Sequence, residues 1–159
     1  MDLVVNEWLP EYFRPDASPE EKRALQKFLI CFLERGDKII VLEPSPFLDK
    51  IYRYAKEFQR QYEVVLPIRY FIKTILLNSE RCILVSAEEI DELPQNIQNK
   101  LAEGNYGSDS YLFETASVIR DSARKIITTD TRLKNHFQNE EWCEIVLLHE
   151  FLDSYCNDT

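Results

Sequence analysis

Residues 125–134 read KIITTDTRLK. A β-branched apolar run ends in two threonines and a carboxylate, and basic sequence follows at once. Ile126, Ile127 and Thr128 have the composition of a strand buried on both faces. Asp130 has two readings. It caps the short helix expected over Thr131 to Phe137, or it stands at the carboxyl end of a strand because chemistry happens there.

Working outward, the pattern repeats. Leu3-Val4-Val5, Lys38 to Leu42, Arg81 to Val85 and Glu144 to Leu148 read as further strands. Ser18-Pro19-Glu20-Glu21 is a capping box with proline at the first helical position, and the helix it starts stops at Gly36. A second helix is expected from Phe47 to Tyr62, and a third from Ile68 to Leu77, bounded by Pro67 and Asn78. Short helices are expected over Ala87–Glu92 and Pro94–Ala102. Gly104-Asn105-Tyr106-Gly107 reads as a loop. A helix then begins near Ser108 or Asp109, with Leu112, Ala116, Ile119 and Ala123 on one face, and a last helix covers Glu150 to Tyr155. Strands alternating with helices predict an α/β fold. It is a three-layer αβα sandwich around a mainly parallel sheet, one domain over residues 1–159 without linker or repeat.

Composition excludes several classes. The chain has 159 residues, 45% hydrophobic and 12% aromatic, enough for a sizeable core. With only 3 glycines there is no glycine-rich phosphate loop. The opening apolar run is broken by charge, and no apolar stretch approaches the roughly 18 residues of a membrane span. A soluble, cytoplasmic chain is expected. No CxxC pair exists, and Cys31, Cys82 and Cys143 sit in apolar surroundings, so buried reduced thiols are expected. His136 and His149 are too few and too far apart for a histidine-based site. The net charge of −9 makes charge distribution, rather than total, the question for any nucleic-acid partner.

In open α/β sheets ligands bind outside the carboxyl ends of the strands. Asn6 and Glu7 follow the first strand, Asp49 lies in the helix after the second, Asp109 opens the helix before the fourth, and Asp130 ends that strand. Asp109 and Asp130 are 21 positions apart, a span that suits one helix plus one strand. Asp49, Asp109 and Asp130 are thus expected to converge. A hard cation such as Mg²⁺ or Mn²⁺ would relieve their repulsion.

These motifs resemble the PIN domain, a fold of metal-dependent ribonucleases. KIITTDTRL resembles its strand followed by Thr, a residue and Asp. SDSYLFETA resembles its Asp-led helix, KIIVLEPSPFLDKIYR its second strand, turn and acid-bearing helix, and LVVNEWLP its first strand. The likeness spans about residues 1–150. It implies a metal-dependent endoribonuclease that cleaves RNA phosphodiester bonds, with Asp49, Asp109 and Asp130 as catalytic metal ligands and Asn6 as a fourth, uncharged oxygen donor. It also implies RNA as partner, a toxin-like role with an antitoxin-like protein partner, and a homodimer. Two departures stand out. Asn6 replaces the family's first acid, and Asp49 replaces its usual Glu. The alternative is therefore a catalytically impaired PIN-fold module for RNA binding or protein interaction. Glu7 is expected to point away from the site if the first strand stays regular. Glu114 is a reserve acid. Lys50, Arg53, Lys56 and Arg60 share a helix side, and Arg120 to Lys134 is also basic. Of these, Arg53, Arg132 and Lys134 are the expected RNA contacts. A receiver-like signalling domain would need an acidic pair after the first strand, and the chain lacks it.

Overall fold

The computed structural model describes residues 1–120 and 123–157. Five strands form one all-parallel sheet in the order β3-β2-β1-β4-β5. They are β1 (Asp2–Val5), β2 (Lys38–Glu43), β3 (Cys82–Ser86), β4 (Lys125–Thr128) and β5 (Glu144–Leu147). The chain builds outward from β1 to β3, then returns to add β4 on the other side of β1. The switch point of the sheet is therefore the crevice between the carboxyl ends of β1 and β4. Leu3, Val4, Ile126 and Ile127 are almost wholly buried, as a central parallel pair requires.

Helices cover the sheet: α1 (Trp8–Glu11), α2 (Pro19–Arg35), α3 (Pro46–Glu57), α4 (Tyr62–Phe71), α5 (Gln95–Ala102), α6 (Ser110–Ala116), α7 (Thr131–His136) and α8 (Leu148–Tyr155). The architecture is the expected αβα sandwich. The capping box of α2 forms in full: Glu21 N donates to Ser18 Oγ and Ser18 N to Glu21 Oε1. Gly36 ends α2 at φ +73, the left-handed conformation that favours glycine. Helix α6 lies against β1, β2 and β4, while α2 packs on α8 and α8 on β4 and β5.

Several local expectations are corrected. Pro67 lies inside α4 rather than before a helix. The apolar face Val65, Ile68, Phe71 and Ile75 is fully buried, and that packing overrides the proline's lost hydrogen bond. A π-helical turn, Ile72–Leu76, continues the helix. Residues 87–92 form a turn and extended chain. Glu88 and Glu92 would repel at i,i+4, and only Ile90 offers an apolar anchor. Helix α6 stops at Ala116, where Ser117 Oγ donates back to Glu114 O. Ile119 is still buried, but Ala123 is exposed and off the helix. Cys31 forms a disulfide with Cys156, Cα atoms 5.7 Å apart, so it is not a reduced thiol. Cys82 and Cys143 are buried and free, and burial pushes both thiols up to about 12. Among the described residues, no helix is long and apolar enough to cross a membrane.

Candidate functional site at the β1/β4 switch point

Strand β1 ends at Val5, and Asn6 extends its ladder by one bond, Asn6 N to Ile127 O at 3.0 Å. The Asn6 amide then stitches the two strand ends together. Its Nδ2 donates to Thr128 Oγ1 at 2.9 Å, and its Oδ1 accepts from Glu7 N at 2.7 Å. Thr128, fully buried, also accepts from Asp130 N at 3.1 Å. Trp8 Nε1 donates to Ile127 O at 2.9 Å and pins the start of α1 to β4. An aspartate at position 6 could not donate to Thr128, so the amide has a structural task of its own.

Glu7 departs from the expectation of strand alternation. Its backbone is helical, φ −67 and ψ −5, because it caps α1 instead of extending β1. The side chain therefore turns toward the site. Glu7 Oε2 accepts from Tyr111 Oη at 3.2 Å, and Glu7 Oε1 lies 3.1 Å from Lys50 Nζ. The same ammonium lies 2.7 Å from Glu11 Oε1, which also accepts from Tyr54 Oη at 2.6 Å. Burial opposes both charges of the Lys50–Glu11 pair, but mutual hydrogen bonding prevails, with Glu11 held below and Lys50 above its usual range.

Asp109 caps no backbone group. Its carboxyl is pushed up, first by burial and then by the negative charges of Asp130 and Glu7, with Arg132 opposing. Asp109, Asp130 and Glu7 thus share one field at the carboxyl edge of the sheet. Asp130 is both readings at once: it ends β4, and its Oδ1 accepts from Arg132 N at 3.0 Å and Leu133 N at 3.2 Å. The Tyr111 phenol is raised well above its usual value by burial and by Glu7.

Of the expected ligands, Asp109 and Asp130 lie near enough for the charge of one to raise the carboxyl of the other. Asp49 is exposed on the first turn of α3, and its charge is not among those acting on Asp109. Lys50, its neighbour, faces the acids instead. Arg132 is exposed beside Asp130, Nε to Oδ1 at 3.9 Å. Lys134 is paired with Glu150, and Arg53 lies across the Tyr54 ring at 5.3 Å. Arg124 is committed to the Trp142 ring at 4.6 Å. Tyr54 is a core residue, and Tyr106 stacks on His136 with ring centroids 4.6 Å apart. Among the described residues, no three of His, Cys, Asp and Glu are grouped tightly enough to hold a metal ion.

Asp109→Asn is expected to stabilise the metal-free protein at pH 7 by roughly 0.5–1 kcal/mol, the half-buried carboxylate being partly screened by solvent. The folded state holds this proton more tightly than the unfolded chain. The penalty therefore grows as pH rises from the ordinary carboxylate range through the raised folded value, and it is absent below that range. Urea melts of both proteins at pH 7 and in acid check this. An equal gain at both would contradict the electrostatic origin.

No family model matches this chain, and neither the curated proteins nor the solved structures yield a match.

Proposed function

We propose that the protein is a PIN-like, metal-dependent endoribonuclease acting at the β1/β4 switch point, with Glu7 supplying the charge that Asn6 lacks. The observation that carries this reading is Asp109 at the strand edge, a carboxyl raised first by burial and then by the charges of Asp130 and Glu7, which come from separate parts of the chain. Crowded acids at the carboxyl edge of a parallel sheet call for a cation.

The reading asks only two carboxylates to hold Mg²⁺ or Mn²⁺. Mg²⁺ is commonly held by one or two carboxylates with water and substrate phosphate completing the shell, rather than by an all-protein cage. Asp109, which caps no backbone group, and Asp130, whose Oδ2 is not used by the helix cap, would hold the ion. Such an ion would lower the pKa of a water and neutralise charge developing on the phosphate. The chain's own contribution is placement. Asn6 and Thr128 fix the two strand ends, Tyr111 and Lys50 aim Glu7, and Arg132 offers a guanidinium to a phosphate beside Asp130.

A second reading, an impaired RNA-binding or interaction module, has one observation in its favour. The Lys50 ammonium already neutralises Glu7 and Glu11. Cleavage of single-stranded RNA with Mn²⁺ or Mg²⁺ by native, Glu7→Gln and Asn6→Asp proteins separates the two. The nuclease reading expects native cleavage, reduced roughly 10–100-fold in Glu7→Gln. An inactive native chain that gains cleavage in Asn6→Asp would replace it with the impaired module.

A further inference from the structure

A cleft of about 340 Å³ opens beside the switch point, between the first turns of α2 and α8 and the carboxyl ends of β4 and β5. Thr129 and Thr131, the residues on either side of Asp130, form one wall. Its volume falls within the range of small-ligand sites. The lining is mostly apolar, with Leu148 and Leu152 from α8. Tyr12 and His149 provide two flat rings, and the His149 side chain is 75% exposed, with Nε2 4.0 Å from Glu150 Oε1. Glu20 and Glu21 line the cleft, and Glu21 uses only Oε1 in the α2 capping box. These charged acceptors stand beside the hydroxyls of Tyr12, Thr129 and Thr131.

This chemistry rejects a phosphate and suits a base. Two carboxylates repel an anion, and they neutralise the first turn of α2 that would otherwise attract one. An apolar lining with two aromatic rings and two carboxylate acceptors matches how proteins hold unstacked bases of single-stranded RNA. Carboxylates accept from exocyclic amino groups, as they do from N4 of cytosine, whereas uracil offers only N3–H between two carbonyl oxygens that the carboxylates repel.

We propose that this cleft is a subsite for one unstacked nucleobase bearing an exocyclic amino group, flanking the phosphate held at Asp130. The proposal rests on the reading of the switch point as an RNA-cleaving site, and it supplies what that reading lacks, a preference among bases. The Tyr12 ring is itself held in place by Trp8, centroids 5.6 Å apart. One face of the subsite is thus fixed by the same α1 segment that presents Glu7.

The test uses nucleoside monophosphates without metal, so binding is read independently of cleavage. AMP, CMP and UMP are titrated into the native chain and followed by backbone amide shifts. CMP and AMP are expected to move Thr129, Thr131, His149 and Leu152, with UMP weaker by about tenfold, the effect of one hydrogen bond to a charged acceptor. Glu20→Gln is expected to narrow the gap between CMP and UMP. His149→Ala is expected to weaken all three. Equal affinities for CMP and UMP, or shifts confined to residues outside the cleft, would overturn the proposal. Base binding by a chain that never cleaves RNA would retain the subsite and sink the nuclease. Cleavage that tolerates His149→Ala and shows no base preference would do the reverse.

Discussion

On the nuclease reading, Asp130→Asn is expected to keep its melting behaviour and to lose RNA cleavage by on the order of 10²–10³-fold, as when one group stabilising developing charge is removed. The substitution separates the two tasks of the residue. The asparagine oxygen can still accept from Arg132 N and Leu133 N, now 3.0 and 3.2 Å from Oδ1, and Asn is as good an N-cap as Asp. The negative charge is what disappears. Asp130→Ala removes both tasks and is expected to add about 1 kcal/mol of destabilisation from the lost cap. Thermal melts run beside Mn²⁺-dependent cleavage report the two separately. Full activity in Asp130→Asn would mean that the residue is a helix cap and nothing more.

The strands and the pair Asp109 and Asp130 were legible because their signals are local. A β-branched run bounded by polar residues, and one helix plus one strand of spacing, place both acids at one edge whatever the rest of the chain does. Glu7 was not legible in this way. Its direction depends on where β1 stops, and that is decided by Trp8, whose indole reaches Ile127 O across the sheet. A one-residue difference in strand length moves a side chain to the opposite face. The same logic separates Asp49 from Lys50. Both occupy the start of α3, but helical phase sets which one meets Glu11, and sequence alone fixes that phase only loosely. Pro67 misled because a proline is a strong local signal, and here three dimensions overruled it. The Cys31–Cys156 bond joins α2 to the end of α8, and no local pattern announces a pairing across 125 positions.

Phe28→Ala is expected to cost about 3–5 kcal/mol, a large fraction of a domain's stability. Phe28 is 0% exposed at the centre of an aromatic cluster. It meets Trp8 edge-on at 5.4 Å, Phe32 at 5.8 Å, Phe151 at 6.3 Å and Tyr155 at 6.4 Å. These partners come from α1, α2 and α8, so one deletion opens a void where three helices meet and the large rings cannot easily collapse into it. Phe28→Leu keeps most of the volume and is expected to cost about 1–2 kcal/mol. Urea melts measure both. The consequence reaches the switch point because Trp8 directly follows Glu7, and its ring is held on one side by Phe28 and on the other by the β4 carbonyl. Loosening Trp8 frees the segment that presents Glu7. Under conditions where Phe28→Leu is fully folded, its amide shifts at Glu7 and Tyr111 are therefore expected to move, while those around α5 stay fixed. Unchanged shifts at Glu7 would show that the hydrogen bonds of Asn6 and Trp8 hold the strand end without help from the core.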